Sequence, residues 1–366
     1  MTDFILYGSQ ASLFTGKARA YLTWKGVGFD EVAVNGAVMK EVILPNVGWP
    51  VVPVVKMPDG SIVQDTADII DAVEALHPKP SVMPASPVLQ FASQLMQLYA
   101  DQWLTVPAMH YRWNYNEDWI FGEFGRSIAP DADAETQYEV GKKSGMKFRA
   151  MVPMLGITPE TIPAIEASYE AFLREFADHL AVHPYVFGGR PSYADFALYG
   201  PLYAHLYRDP ESRKIMERVA PPVARWVERV GEGNALGPLV EGDEVPQTLL
   251  PLFRRHSKEH LPVLSATQAL FDTWAETAEE GAEIPRMLGV VPFELEGIGG
   301  NVIARPFSLF RLQMALDVLQ DMGPKDRKSA EAFLKSVGAG SLKDFKSTHR
   351  MERRNCKLCL VGGERY

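Results

Sequence analysis

Two cysteines near the C-terminus have a spacing that suggests chemistry. Cys356 and Cys359 are the only cysteines in the chain, and they form a Cys-x-x-Cys pattern. Such a pair can act as a redox couple or supply half of a zinc site, but the sequence has no second pair to complete one. The segment CKLCLV reads as a strand, in which residues three apart point to opposite faces. We therefore expect both cysteines to be structural, and we expect no metal site.

Aromatic residues are concentrated between Tyr99 and Phe124. Eight Phe, Trp or Tyr residues fall in these 26 positions, whereas the chain average of 10% would give fewer than three. Tyr99, Trp103 and the pair of His110 and Tyr111 recur at near-helical spacing, so they can line one face of a helix. Such a face forms either core or dimer interface, or the wall of a pocket for a flat aromatic molecule. In a pocket, His110 or Tyr111 would donate or accept a proton.

The elements that must position these residues begin with an N-terminal βαβ and ββα order. The sequence predicts strands over 3–7, 29–34, 51–56 and 61–63, with helices over 16–25 and 66–76. Asp65 or Thr66 caps the second helix. Pro53 inside the run VVPVV conflicts with a regular strand unless the Val52–Pro53 bond is cis or the strand begins there. This order fits an α/β thioredoxin-like domain.

The rest of the chain divides into an all-helical region and a mixed extension. Helical patterns cover 86–114, 134–155, 159–183, 192–207 and 222–230, and Ser192 with Asp195 resembles a capping box. Beyond a Gly-rich, acidic boundary at 231–246, helices are predicted over 247–280, 307–322 and 329–337. A hairpin turning near Gly299 and Gly300 and a terminal strand complete the α+β extension.

Composition excludes several classes of protein. The chain has 366 residues, of which 46% are apolar and 23% charged, as in globular rather than disordered or fibrous proteins. Its net charge of −9 argues against nucleic-acid binding. Residues 325–366 carry eleven Lys or Arg against five Asp or Glu, and Arg350, Arg353 and Arg354 are expected on a solvated surface. Without an apolar run of about 20 residues or a signal peptide, we expect a cytoplasmic protein that does not bind membranes.

Four segments of the sequence together resemble the glutathione transferase superfamily. They are LYGSQASLFTGKARAYL, VVPVV, QDTADII and FGGRPSYADFALYGPL, and they occur in the family's order over residues 1 to about 232. The resemblance implies a thioredoxin-like glutathione-binding domain over 1–80 and an all-α transferase domain over 86–232. Residues 246–366 form an extension that it does not explain. It also implies a bacterial-like, serine-type member that forms a homodimer.

The same resemblance assigns the group that activates the thiol. Ser12 stands where relatives have a CxxC or a serine, and it would donate a hydrogen bond to the glutathione sulfur. Together with the helix N-terminus, this bond favours the nucleophilic thiolate. Ser9 and Thr15 are the alternatives to Ser12. Each of the three hydroxyls could instead serve only to cap the helix. Because Ser12 and Thr15 are not cysteines, a glutaredoxin-like reduction is not expected.

The remaining implied contacts hold glutathione and the electrophile. Val52, before Pro53, would pair its backbone with the cysteinyl part of glutathione. Asp65 and Thr66 match the Glu/Gln-Ser pair that holds the γ-glutamyl end, although Asp65 is one methylene shorter than Glu. Lys40 is the candidate for the glycyl carboxylate. The hydrophobic substrate pocket would be lined by Tyr99, Trp103, His110 and Tyr111.

The resemblance thus implies a glutathione transferase that uses glutathione as co-substrate and no metal. Its thiolate would attack a small hydrophobic, aromatic electrophile by substitution, ether cleavage or addition. A glutathione-dependent isomerase that forms a transient thiol adduct uses the same residues. The alternative from another class is a non-catalytic binding or scaffold protein whose basic extension carries the function.

Overall fold

The computed structural model describes residues 4–347 and 349–362. Asp3 of the predicted first strand and the outer ends of the first and last predicted domains lie outside the described residues. The N-terminal elements are β1 (Phe4–Gly8), α1 (Leu13–Lys25), β2 (Phe29–Ala33), α2 (Gly36–Val38), α3 (Leu44–Val47), β3 (Val54–Lys56), β4 (Ile62–Gln64) and α4 (Thr66–Leu76). They form a mixed sheet in the order β2-β1-β3-β4, in which only the β1–β2 pair is parallel. The predicted thioredoxin-like order is confirmed.

Local signals explain the ends of these elements. Ser12 is the N-cap of α1, and Gly26 ends that helix in the left-handed region at φ 71°. The predicted strand over 51–56 is shortened to Val54–Lys56, because the Val52–Pro53 peptide is cis and Pro53 has no N–H for a ladder. The cis interpretation of the VVPVV run is thus confirmed.

The middle of the chain is entirely helical. Its helices are α5 (Pro87–Gln102), α6 (Thr105–Tyr115), α7 (Glu117–Ile128), α8 (Ala134–Arg149), α9 (Ile162–Leu180), α10 (Tyr193–Ala204), α11 (Pro210–Val219) and α12 (Pro221–Gly231). The predicted helix over 86–114 is two helices, and α7 and α11 were not predicted. The capping box of α10 is confirmed: the buried Asp195 carboxylate accepts from the Ser192 N–H at 2.9 Å and the Ser192 hydroxyl at 2.7 Å.

The C-terminal extension contains helices and two hairpins. Its elements are α13 (Leu250–Glu259), α14 (Leu261–Ala275), β5 (Val290–Leu295), β6 (Ile298–Ile303), α15 (Pro306–Gln320), α16 (Pro324–Ser336), β7 (Arg350–Arg354) and β8 (Lys357–Val361). The prediction of a turn near Gly299 and Gly300 is wrong. The β5–β6 hairpin turns at Glu296 and Gly297, which have φ values of 47° and 81°. Gly300 instead lies in β6, where a Cβ atom would stand 2.5 Å from the Phe293 ring.

The extension packs onto the rest of the protein through one continuous core. Helices α15 and α16 contact α5, and β7 contacts α15. Buried apolar residues from all three predicted domains belong to the same cluster, for example Phe4, Leu95 and Leu312. The domain limits at 80, 86, 232 and 246 stay predictions. None of the described helices is long and apolar enough to cross a membrane.

Candidate functional site

A cavity of about 430 Å³ lies between the thioredoxin-like domain, the end of α5 and the extension. Four residues of the implied glutathione site line it: Val52, Pro53, Asp65 and Thr66. The fifth, Lys40, is exposed and is not among the residues around the cavity. The extension forms the facing wall with residues near Arg286, Arg305 and Arg353. No local pattern in the sequence predicts that these residues lie there.

Val52 presents an unpaired backbone to this cavity. It lies outside β3 because the strand begins at Val54, and the side chain is half-buried. Its N–H and C=O make no hydrogen bond with any described residue. A backbone with both groups open is suited to antiparallel pairing with an extended peptide.

Asp65 and Thr66 stand where β4 passes into α4. Asp65 is the N-cap of α4 with φ 81°, and its carboxylate accepts from the Ala67 N–H at 2.9 Å. The same carboxylate pairs with the Arg311 guanidinium of α15. Burial would raise the pKa of Asp65, but Arg311 and Arg353 outweigh it and hold that pKa below its ordinary value. Asp65 is therefore an ionised group already engaged by the extension.

Arg353 links the second hairpin to the same edge of the site. Its guanidinium donates to the Gln64 carbonyl at 3.2 Å and to the Gln64 side-chain oxygen at 2.6 Å, and it pairs with Asp68. The expectation that Arg353 lies on a solvated surface is wrong, because its side chain is only 11% exposed. Arg350 pairs with Asp317 on α15, and Arg354 is half-exposed beside Glu352.

The three loop hydroxyls have different surroundings. The Ser12 Oγ accepts from the Thr15 N–H at 3.2 Å, and its own proton has no acceptor among the described residues. Ser12 is half-buried and is among the lining residues of neither large cavity, whereas Phe14, two positions later in the first turn of α1, lines the 430 Å³ cavity. Thr15 is fully buried and its Oγ1 accepts from the Ser9 N–H at 3.3 Å. Ser9 lines a different cavity, of about 350 Å³.

The four aromatic and histidine candidates do not line the 430 Å³ cavity. Tyr99 and Trp103 are buried and donate to a single Glu259 oxygen, at 3.3 and 3.0 Å. His110 is buried with its Nε2 3.0 Å from Glu166 Oε1, and burial lowers its pKa. Tyr111 is 2% exposed, and burial raises the pKa of its phenol. The core interpretation of this aromatic face therefore describes all four residues, and the pocket interpretation does not.

Other residues, both apolar and polar, form a further wall of the cavity that includes Phe14 near the start of α1. Phe14, Gln102 and Thr105 line it from the transferase body, and Pro306 and Phe307 line it from the start of α15. Phe14 and Phe307 are half-buried, so their rings are partly accessible. The sequence could not show that these residues line one cavity, because they come from distant parts of the chain: Phe307 lies about 200 positions after Gln102.

Arg286 and Trp49, which both line the cavity, stack on each other. The Arg286 guanidinium stands 3.8 Å from the centroid of the Trp49 ring. The Trp49 Nε1 is buried and has no hydrogen-bond partner, and Arg286 has no carboxylate partner among the described residues. Two unfilled donors on adjacent side chains are suited to a carboxylate.

The two cysteines lie in different parts of the β7–β8 hairpin. Cys356 lies in that turn at φ 61° and lines the cavity, whereas Cys359 lies in β8 opposite Glu352. Burial raises the pKa of the Cys356 thiol, which disfavours its thiolate. Both thiols are free, and no cluster of three or more His, Cys, Asp or Glu side chains within 4–347 and 349–362 is placed to hold a metal.

Comparisons with known proteins match two parts of the chain. A family model for the glutathione S-transferase N-terminal domain matches residues 6–81, and one for the C-terminal domain matches residues 159–229. No curated protein sequence matches.

Solved structures to which this chain is similar include a β-etherase from Sphingobium sp. strain SYK-6, at 18% identity and a TM-score of 0.46 over 63% of this chain and 95% of that one. A rice glutathione transferase in complex with glutathione is 17% identical, with a TM-score of 0.42 over 64% and 92%. A tau class enzyme from mango is 16% identical, with a TM-score of 0.41 over 62% and 88%.

Proposed function

We propose that this chain, which belongs to the glutathione S-transferase superfamily, binds glutathione in the 430 Å³ cavity and transfers its thiolate to a hydrophobic electrophile. The observation that carries the proposal is the open Val52 backbone beside cis-Pro53, facing the same cavity as the N-terminus of α4. An extended tripeptide with a carboxylate at each end is complementary to such a site.

The γ-glutamyl end of glutathione belongs at Asp65 and Thr66. Its carboxylate would accept from Thr66 and the N–H groups at the start of α4. Its ammonium would approach Asp65, whose carboxylate it would share with Arg311. Asp65 is shorter than the usual Glu, but in this proposal its carboxylate is held ionised and in a fixed position, so it can still bind the ammonium.

The glycyl carboxylate belongs at Arg286 and Trp49 rather than at Lys40. Both Arg286 and Lys40 are exposed, but Arg286 lines the cavity beside Trp49 with unfilled donors, whereas Lys40 lies outside its lining. Binding there would give the buried Trp49 Nε1 the hydrogen bond that it lacks, which removes the cost of an unsatisfied donor.

Ser12 supplies the hydrogen bond that favours the thiolate. Its oxygen caps α1 while its proton is free of protein acceptors, so capping and thiolate binding do not compete. In a substitution, the thiol proton passes to water, the sulfur forms a bond to the electrophilic carbon, and the leaving group departs with the electron pair of the broken bond. The electrophile would pack against Phe14 and Phe307.

Replacing Arg286 with methionine tests the glycyl contact. We expect KM for glutathione to rise about 10-fold, because a charge-assisted hydrogen bond contributes about 1.5–3 kcal/mol. Lys40→Met is the matched control and should leave KM within about twofold. Steady-state kinetics with varied glutathione measures both. A larger effect in Lys40→Met than in Arg286→Met would restore the assignment to Lys40.

The transferase function is tested by glutathione-dependent conjugation of 1-chloro-2,4-dinitrobenzene, followed by absorbance. A thermal shift with 5 mM glutathione separates the alternatives, because stabilisation follows ligand occupancy. Stabilisation with conjugation supports the transferase. Stabilisation with no conjugation of any electrophile supports a binding or scaffold protein. Turnover of a substrate without consumption of glutathione supports an isomerase. No stabilisation would overturn the proposal.

The homodimer and the cytoplasmic location stay predictions. The mass of the purified protein in solution, measured by light scattering, checks the first of them.

A further inference from the structure

The charges around the cavity are not balanced among themselves. Each carboxylate that lines it already has a cationic partner in the chain: Glu283 with Lys357 at 2.7 Å, Asp101 with Lys17 at 2.7 Å, and Asp65 with Arg311. Among the lining cations, Lys357 and Arg353 are paired, whereas Arg286 and Arg305 have no carboxylate partner among the described residues. The cavity therefore has two cationic groups in excess. Glutathione occupies only one of them, Arg286, through its glycyl end.

Arg305 is the cation that remains. It immediately precedes α15 and is half-buried. One hydrogen bond fixes it: Nη2 donates to the Gln102 carbonyl at 2.5 Å. Burial lowers the pKa of Arg305 to about 10, so the side chain is still charged at neutral pH.

Arg305 adjoins lining residues that the proposed function assigns to the electrophile rather than to glutathione. Its hydrogen-bond partner Gln102 and its neighbours in sequence, Pro306 and Phe307, belong to the wall of the cavity that also includes Phe14. That wall is where the electrophile packs in the proposed function. A guanidinium that is half-buried and unpaired is costly, and a planar carboxylate satisfies it with two parallel hydrogen bonds.

We propose that Arg305 binds a carboxylate on the electrophile, so that the second substrate is an aromatic acid rather than a neutral aromatic compound. This inference rests on the proposed function. The ring of the acid packs between Phe14 and Phe307, and its carboxylate receives the guanidinium N–H groups that Gln102 leaves free. The carboxylate takes no part in bond making, and the conjugation step is the one given above.

The test compares 4-chloro-3,5-dinitrobenzoate with its methyl ester, each rate being divided by the uncatalysed rate with glutathione. The wild type should have at least 10-fold higher normalised kcat/KM for the acid. Arg305→Met should lower the value for the acid by about 10- to 100-fold, which corresponds to the loss of a charged hydrogen bond. It should change the value for the ester by less than about threefold. Arg305→Lys, which retains the charge but cannot donate two parallel hydrogen bonds, should recover part of the preference.

Arg354→Met is the matched control, since Arg354 is an exposed arginine of the same extension that does not line the cavity. It should change neither substrate by more than about twofold. Equal turnover of acid and ester by the wild type, or equal loss of both in Arg305→Met, would overturn the inference while leaving the transferase intact. No turnover of either compound, with no thermal shift by glutathione, would mean that the proposed function itself is wrong.

A binding measurement keeps the inference testable if Arg305→Met does not fold. In the wild type, 3,5-dinitrobenzoate should inhibit conjugation of 1-chloro-2,4-dinitrobenzene with at least a 10-fold lower inhibition constant than methyl 3,5-dinitrobenzoate. Equal inhibition constants would contradict a carboxylate contact.

Discussion

Ser12→Ala is expected to lower kcat for conjugation by about 10²- to 10³-fold, while KM for glutathione changes by less than about threefold. Removing one preorganised donor to a reacting anion has an effect of that size in other enzymes. The proposed contacts at Val52, Thr66 and Arg286 hold the backbone and the two carboxylates of glutathione rather than its sulfur, so binding should persist. A fall in kcat without a change in KM identifies an interaction that acts on the reacting sulfur.

The capping role of Ser12 requires controls. Alanine also removes the hydrogen bond from the Thr15 N–H, which is expected to cost about 1 kcal/mol of stability. Ser12→Gly removes the hydroxyl at a smaller capping cost, so it should lose the same activity with less destabilisation. Ser12→Thr keeps a hydroxyl and should retain most of kcat.

Ser9→Ala is the matched variant in the same loop, because Ser9 lines the separate 350 Å³ cavity. Its kcat should stay within about twofold of the wild type. If Ser9→Ala lost activity and Ser12→Ala did not, the thiol would be bound on the other side of the loop. If neither variant lost activity, Tyr7→Phe is the next to measure, because Tyr7 packs against the same cluster of Ile43, Val47 and Val54 as Trp49 and Cys356, which line the cavity.

Arg311→Met is expected to lower the free energy of unfolding by about 3–5 kcal/mol. Arg311 is 7% and Asp65 16% exposed, and removing one partner leaves the other as an uncompensated charge. Denaturant unfolding at pH 7 measures the loss. Arg350→Met is the matched control: it removes an arginine that pairs with Asp317 on the same helix, where both side chains are about one-third exposed. That loss should be below about 1 kcal/mol.

The effect of Arg311→Met depends on pH with a definite sign. In the wild type, the folded pKa of Asp65 lies below its unfolded value, so the ion pair stabilises the fold above that value and is lost as pH falls through the folded pKa. Without Arg311, burial would raise the pKa of Asp65 instead, and the carboxyl can be protonated on acidification. The difference in unfolding free energy between wild type and variant should therefore shrink from pH 7 to pH 4. A constant difference would mean that Arg311 stabilises the fold through packing alone.

Local sequence signals were sufficient to predict the order of elements in the thioredoxin-like domain and several local backbone features. The cap at Asp65, the capping box at Ser192 and Asp195, and the cis bond before Pro53 each depend on residues within a few positions. The site residues Val52, Asp65 and Thr66 came instead from the resemblance to the glutathione transferases, and all three line one cavity. Lys40 was misplaced relative to that cavity because the position of its loop depends on tertiary packing.

The extension's contribution to the site could not be read from the sequence. Arg311 meets Asp65 across 246 positions, and Arg353 meets Asp68 across 285. In the sequence, Arg353 belongs to a basic tail that looks like any solvated surface. The aromatic residues between Tyr99 and Phe124 were ambiguous for a different reason, because their spacing fits both a core and a pocket. In the structure Tyr99 and Trp103 face other protein groups, among them the buried Glu259 of α13.

The most direct test of the proposed chemistry is the titration of glutathione bound to the full-length protein, followed by thiolate absorbance near 240 nm. The free thiol of cysteine has a pKa of about 8.5. We predict that bound glutathione titrates at least one pH unit lower in the wild type, and that Ser12→Ala returns the titration toward the free value while glutathione still binds. Bound glutathione that titrates like free glutathione in the wild type would contradict thiolate activation at Ser12.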